Sequence, residues 1–192
     1  MITFKATNIS YEPIKTKSQT IKQAPVMKLD PNDNKDLKML EKWAFGLDKR
    51  DMFGRCIYVF MKNPMCSSDE FFVILDPDDK NKIIGSALSS SDRTTASVDF
   101  IQINPDLTYS KFEKERKYTN VGSALLNAIE RYFKNKIITV FPVNNSEKFY
   151  LKQNVKIDKI VKANPKYGDI DILLFAFLIE ASSFFRSNFS YN

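Results

Sequence analysis

The sequence predicts one α+β domain with a mixed, mostly antiparallel central sheet of six to seven strands, flanked by about four helices. Short β-prone runs follow one another between residues 71 and 103 and are separated by turn-forming residues, which is typical of hairpins. Segments with apolar residues at three- and four-residue spacing lie before and after these runs, which indicates amphipathic helices. The predicted element order is β-α-α-β-β-β-α-β-α-β-β.

The composition fits a globular domain and excludes several chemistries. The 192 residues are 43% hydrophobic and 27% charged, which is enough apolar material for a sizeable core. Histidine is absent, which excludes Ser-His-Asp and Cys-His nucleophiles and imidazole metal sites. The two cysteines, Cys56 and Cys66, are too few for a four-thiolate zinc site or a disulfide framework. We therefore expect no metal, and reduced thiols in the cytoplasm.

The charge of the chain leaves two interpretations open. A net charge of +6 and a pI near 9.1 would suit an anionic partner, but a lysine-rich surface explains them equally. The basic residues are scattered, and no nucleic-acid-binding motif is present, which argues against a nucleic-acid-binding protein. No signal-peptide pattern is present, and the longest apolar run, 172–179, is too short to span a membrane. These features predict a cytoplasmic protein that has no membrane partner.

The first part of the chain is predicted to contain one strand and two helices. Residues 1–24 are polar and lysine-rich and are interpreted as an N-terminal extension, with an edge strand as the alternative. A strand is expected at 25–29, before the turn and helix-start cluster at 30–33. Apolar spacing then predicts a helix over 37–44 and a less regular helix over 48–62.

The second part of the chain begins with three strands at 71–75, 83–88 and 96–103, of which the first two form a hairpin. A charged loop at 105–117 follows. The remaining predicted elements are a helix from residue 120 to about 133, a strand at 136–140, a helix at 146–153 and strands at 155–161 and 170–179. The domain is expected to cover 25–180 and to leave a C-terminal tail at 181–192.

The junction between the third of these strands and the next helix is the most informative part of the sequence. A helix N-terminus offers unpaired backbone N–H groups and the positive end of the helix dipole, which suits a pyrophosphate. Gly122 tolerates a positive φ, and Asn120 is the commonest non-glycine residue in that conformation. Lys117 and Arg116 add cations nearby. The alternative is an ordinary helix start whose glycine relieves packing against the sheet.

Three motifs resemble one family. Residues 117–126, KYTNVGSALL, resemble the acetyl-CoA-binding motif Gln/Arg-x-x-Gly-x-Gly/Ala of the GCN5-related N-acetyltransferases (GNAT superfamily). Residues 149–156, FYLKQNVK, resemble the family pattern Phe-Tyr-Glu-Lys-x-Gly-Phe-Lys, and residues 26–33 resemble its first strand and lead into helix one. The resemblance covers about 71–158, with a looser match at 25–62, and implies a GNAT-like fold.

The resemblance implies a function and a set of residues for it. The chain would transfer an acetyl group from acetyl-CoA, its co-substrate, to a primary amine of a small molecule, peptide or protein. The residues implied to bind the coenzyme are Ile101, Gln102, Ile103, Lys117, Tyr118, Thr119, Asn120, Val121, Gly122, Ser123 and Asn144. Backbone N–H groups near Ile101 or Gln102 would polarise the thioester carbonyl.

Two side chains are candidates for proton transfer. Tyr150 matches the family tyrosine that serves as general acid, and a phenol suits the protonation of a thiolate. The alternative is a tyrosine that packs its helix on the sheet. Asp99, a carboxylate in an apolar strand, is the candidate base, and burial would raise its pKa. The alternative is that Asp99 faces solvent or pairs with a lysine.

Other functions stay open at this point. Asn120 stands where the family has glycine and Lys117 where it has Gln or Arg, which motivates a catalytically inactive GNAT-fold binding module as an alternative. The apolar segment 172–179 is interpreted as a central strand buried on both faces. It is also a candidate contact for a homodimer formed through the C-terminal strand.

Overall fold

The structure is a computed structural model that describes residues 6–47, 52–64, 67–104, 117–140, 149–150 and 156–157. The chain divides into two compact units, Met1–Thr139 and Val140–Asn192. The first unit holds three helices and a sheet. In the second unit, the described residues include two helical positions, Phe149 and Tyr150, and a short strand.

The elements alternate much as the sequence predicts. In chain order they are β1 (Thr7–Thr16), β2 (Ile21–Leu29), α1 (Asn34–Gly46), α2 (Met52–Lys62), β3 (Glu70–Asp76), β4 (Asp79–Ser91), β5 (Thr95–Ile103), β6 (Tyr118–Thr119), α3 (Val121–Tyr132), β7 (Ile137–Val140) and β8 (Lys156–Ile157). Seven strands follow one another across the sheet in the order β6-β1-β2-β3-β4-β5-β7. Neighbours from β1 to β5 are antiparallel, as are β1 and β6.

This architecture confirms the predicted α+β class and its mostly antiparallel central sheet. From β2 to β7 the helices and longer strands follow the order that the family resemblance implies. The described residues contain three helices and two further helical positions, Phe149 and Tyr150, which lie within the predicted helix at 146–153. None of these helices combines the length and the apolar character that a membrane span requires.

The helices cover opposite faces of the sheet. Phe72 of β3 contacts Tyr132 and Phe133 at ring distances of 5.3 and 6.1 Å, so α3 packs on its face. The neighbouring Phe71 points to the other face, where its partner Leu88 is paired with Phe100 of β5. Phe100 contacts Phe53 and Phe60 of α2 at 5.8 and 5.9 Å. The core therefore consists of two layers, one on each side of the sheet.

Local sequence explains where two of the helices begin. The Asp33 side chain accepts hydrogen bonds from the backbone N–H groups of Lys35 and Asp36, which caps α1 as the helix-start cluster predicts. α3 follows the turn residue Asn120 and buries a stripe of apolar side chains. The buried residues are Val121, Ala124, Leu125, Leu126, Ala128 and Ile129.

The predicted extension at 1–24 contains a strand of the sheet. β1 pairs with β2 along its length, and its buried side chains include Glu12 and Ile14. Glu12 is 1% exposed and its carboxylate pairs with Arg131 of α3. The charged Glu12 interrupts the alternation of apolar and polar residues that predicts a strand. Its partner lies 119 residues further along the chain, so no local pattern shows that Glu12 is a core residue.

Several predictions fall outside the described residues. They concern the loop at 105–116, all but two positions of the helix at 146–153, the strand at 170–179 and the tail at 181–192. The division of the chain at residues 24 and 180 stays a prediction.

Candidate functional site

Asn120 makes the turn that leads into α3. It precedes the helix with φ 65° and ψ 12°, in the left-handed region, and its side chain makes no capping hydrogen bond. Asparagine tolerates this conformation better than other non-glycine residues do. The N–H groups of the first helical turn, from Val121 to Ser123, therefore receive no cap from Asn120.

The structure corrects the role expected of Gly122. No glycine among the described residues has a positive φ, and Gly122 lies inside the first turn of α3. The left-handed conformation is needed one residue before the helix, where Asn120 adopts it. Gly122 instead leaves the first turn without a side chain at its position.

The two residues that precede this turn are held by carboxylates. The Tyr118 hydroxyl lies 2.7 Å from an Asp76 oxygen and 2.8 Å from an Asp78 oxygen, so the two carboxylates share its one proton, and Tyr118 is only 1% exposed. The Lys117 ammonium donates to Asp76 at 2.8 Å and lies 3.6 Å from Asp78. The polar groups of both side chains are thus bound to the turn between β3 and β4.

Charge and burial set the ionisation of this network. Burial opposes ionisation of Asp76, but hydrogen bonds from Lys117 and Tyr118 outweigh it and lower the pKa of the carboxyl. The hydrogen bond to Asp76 raises the pKa of Lys117, and burial raises the pKa of Tyr118. Lys117 is therefore a fixed cation whose charge Asp76 largely balances.

The other implied coenzyme residues of this segment lie beside the network. Thr119 pairs with Lys15 of β1 and is half-buried, whereas Asn120 is exposed. Val121 is buried, and Ser123 is half-buried. The structure thus brings the loop residues together at the N-terminus of α3. They lie at the same end of the first unit as the β3–β4 turn.

The middle of β5 carries the candidate base. Leu88 of β4 pairs with Phe100 and Ser89 pairs with Val98, so the register shifts at Asp99, as in a β-bulge. The Asp99 carboxylate accepts hydrogen bonds from the hydroxyls of Ser97 and Ser90, the latter at 2.8 Å. Asp99 is half-buried. Two hydroxyl donors thus hold it in one orientation.

The last three residues of β5, which the resemblance assigns to the thioester, remain partly accessible. Ile101, Gln102 and Ile103 are half-buried and pair with β4. The Gln102 side-chain amide donates to the carbonyl of Ile103 at 2.8 Å. The Ile103 side chain packs directly on Gly85, since a Cβ at that glycine would lie 2.6 Å from Ile103 Cδ1.

β7 begins beside the start of β5. The Ile137 N–H donates to the carbonyl of Thr94 at 2.9 Å. β7 follows β5 in the strand order, and residues 141–148, directly after Val140, lie outside the described part of the chain.

The implied general acid lies in the second unit. Tyr150 is 5% exposed, and burial raises the pKa of its phenol to about 12. Its ring contacts Phe149 at 5.0 Å. Asn144 lies outside the described residues.

Sequence reasoning misses the two carboxylates of the network. Asp76 and Asp78 lie in a segment whose composition indicates only a turn, and Asp76 does accept the N–H of Asp78 at 2.9 Å, as turn aspartates do. Their link to Tyr118 spans about forty residues, so no local pattern predicts it.

Known proteins of similar structure include acetyltransferases. AAC(6′)-Iy, an aminoglycoside N-acetyltransferase in complex with CoA, is 13% identical with a TM-score of 0.44 over 74% of this chain and 95% of that one. The PaiA N-acetyltransferase of Thermoplasma acidophilum, in complex with coenzyme A, is 14% identical with a TM-score of 0.41 over 66% and 87%. A Pyrococcus furiosus protein to which acetyltransferase activity is ascribed is 16% identical with a TM-score of 0.44 over 73% and 99%. No family model and no curated protein matches the chain.

Proposed function

We propose that this chain is an acyl-CoA-dependent N-acetyltransferase that moves an acetyl group from acetyl-CoA to a primary amine. The observation that carries the proposal is the left-handed Asn120, which leads from β6 into an α3 whose first turn its side chain does not cap. Backbone donors at a helix N-terminus bind phosphate groups well. The motif at 117–126 supplies the family resemblance at the same place.

The coenzyme fits the donors that this segment offers. The amides of Val121, Gly122 and Ser123 would bind the diphosphate, and the missing Cβ of Gly122 lets a ligand approach the backbone closely. Lys117 adds little charge because Asp76 balances it. Backbone N–H groups near Ile101 or Gln102 would polarise the thioester carbonyl, each contributing about 2.7–4 kcal/mol to catalysis.

The proposed reaction is direct attack by a neutral amine. A bond forms between the amine nitrogen and the acetyl carbon, the carbon–sulfur bond breaks, and the amine proton passes to Asp99. Tyr150 gives its proton to the departing thiolate. Its pKa of about 12 keeps the phenol protonated at neutral pH, as an acid requires.

Calorimetry with acetyl-CoA and the full chain tests the binding step. We expect saturable heat at micromolar to millimolar ligand. An absence of heat at millimolar acetyl-CoA would contradict the proposed function.

Thiol release with a panel of primary amines tests the chemical step. For Tyr150→Phe we expect kcat to fall by about 10²–10⁴-fold with little change in KM for acetyl-CoA, because general acid catalysis contributes that much. Tyr11→Phe, at a tyrosine that is 56% exposed, is the matched control and should keep the wild-type rate. Equal rates for Tyr150→Phe and wild type would remove Tyr150 from the mechanism.

One observation favours the inactive binding module as the second candidate. Lys117, the cation expected to bind phosphate, donates to the buried Asp76 and has a second acid, Asp78, 3.6 Å away. Such a loop would bind a diphosphate more weakly than a loop with an uncompensated cation. Coenzyme binding without thiol release for any amine would support this second candidate.

A further inference from the structure

An open cavity lies beside the turn between β1 and β2, next to the α3 N-terminus. Its volume is about 470 Å³. It is lined by three lysines, Lys17, Lys22 and Lys117, by the hydroxyl-bearing residues Thr16, Ser18 and Tyr118, and by one acid, Asp78. Ammonium groups and hydroxyls are the side-chain donors that bind phosphate oxygens. We call this cavity the hairpin pocket.

The turn between β1 and β2 forms one wall of the hairpin pocket. Hydrogen bonds within the turn hold this wall in place. The Thr16 hydroxyl lies 2.9 Å from the Ser18 hydroxyl, which lies 3.1 Å from that of Thr20. Backbone bonds from Thr16 N–H to Thr20 and from Gln19 N–H to Thr16 close the turn. The hydroxyls are therefore held side by side before any ligand arrives.

Lys22 and Lys117 pair with acids of different burial. Lys22 pairs with Asp78 at 2.5 Å, and their side chains are 36% and 45% exposed. An exposed ion pair of this kind contributes little free energy to stability. An anion can therefore replace Asp78 as the partner of Lys22 at a small cost in free energy. Lys117 is held by Asp76, which is 1% exposed, and stays in place. Lys22 is therefore the lysine that we assign to a ligand.

We propose that the hairpin pocket binds the ribose 3′-phosphate of coenzyme A. The inference rests on the proposed function, which puts the diphosphate at the start of α3. Lys117 and Tyr118 line the pocket and Asn120 begins the helix two residues later, so the pocket and the helix N-terminus are neighbours. Coenzyme A carries its diphosphate and its 3′-phosphate on one ribose, and the two groups would lie at these two places.

Titration calorimetry of the full chain with coenzyme A and with 3′-dephospho-coenzyme A tests this inference. For the wild type we expect coenzyme A to bind about tenfold more tightly than the dephospho form. Lys22→Ala is expected to remove most of this difference and to leave the affinity for dephospho-coenzyme A unchanged. Increasing salt should weaken coenzyme A more than its dephospho form, because the pocket contact is between exposed charges.

Lys28→Ala is the matched control. Lys28 lies on the same strand, pairs with Glu70 at 2.5 Å, is 33% exposed and does not line the pocket. It should keep the tenfold preference. Asp78→Asn, which removes the acid that competes for Lys22, should increase the preference for coenzyme A.

The outcomes separate the two proposals. Heat with neither ligand contradicts the proposed function, and the phosphate site is lost with it. Equal binding of both ligands by the wild type contradicts the phosphate site alone, as does a Lys22→Ala effect of the same size on both ligands.

Discussion

At the scale of the residue, the turn into α3 depends on the left-handed conformation of Asn120. A side chain with a Cβ strains the backbone there, and asparagine is among the few residues that relieve this cost locally. Asn120→Ala should therefore lower the free energy of unfolding by about 1 kcal/mol, whereas Asn120→Gly should keep or raise it. Urea unfolding of the three proteins measures this difference.

The glycine variant is also the control for binding. Asn120→Gly keeps the turn and introduces the glycine that the family motif has at this position. Coenzyme affinity should therefore be retained in Asn120→Gly and reduced in Asn120→Ala. If the two variants unfold at the same urea concentration, the φ of 65° does not govern the stability of this turn.

At the scale of the element, the end of β5 packs closely on the middle of β4 at Gly85. A Cβ there would lie 2.6 Å from Ile103 Cδ1 and 3.1 Å from Ile74 Cγ2. Gly85→Ala should lower the free energy of unfolding by about 1–3 kcal/mol, as added methyl groups in packed cores do. Ile103→Val removes the closest atom, so the double variant should be more stable than the sum of the single effects predicts.

Urea unfolding of both single variants and the double variant measures this coupling. Gly46→Ala is the matched control, because a Cβ at Gly46 meets nothing within 4 Å. Additive effects of Gly85→Ala and Ile103→Val would show that Ile103 does not limit the space at Gly85.

The elements also show what the sequence can predict. The three helices follow from local spacing and capping, such as Asp33 before α1, and the β3–β4 hairpin follows from β-prone runs around a turn. β1 is harder to predict because Glu12, one of its core residues, is charged and depends on Arg131 of α3. The register shift at Asp99 has no local signal, since it depends on pairing with β4.

The candidate site likewise has features that the local sequence predicts and features that depend on distant residues. Asn120 is predictable as a left-handed residue because its own side chain makes that conformation acceptable. The balancing of Lys117 by Asp76 is not, because the two residues are 41 positions apart and meet only in the folded sheet. The motif therefore predicts the conformation of the turn more reliably than it predicts the charges that surround it.

At the scale of the whole first unit, the network around Asp76 joins elements that are distant in the sequence. Asp76 ends β3, Tyr118 belongs to β6, and β6 pairs with the end of β1 just before α3 begins. The folded pKa of Asp76 is lowered below its ordinary value of 3.8. The folded state therefore binds this proton less readily than the unfolded state does. The resulting stability is present above about pH 4 and is lost as the pH falls through the folded pKa.

Asp76→Asn should therefore destabilise the protein in a pH-dependent manner. At pH 6 we expect a loss of about 1.5–3 kcal/mol in the free energy of unfolding, the usual contribution of a hydrogen bond to a charged group. At pH 3 the gap to wild type should shrink, because below about pH 4 unfolded wild-type Asp76 binds a proton more readily than the folded carboxyl does. Urea unfolding at both pH values measures the gap, and other acids such as Asp92 titrate in both proteins and cancel. Asp79→Asn, at the exposed first residue of β4, is the control and should show a small gap at both pH values. A gap for Asp76→Asn that stays constant between pH 6 and pH 3 would mean that shape, and not charge, is what the network needs from Asp76.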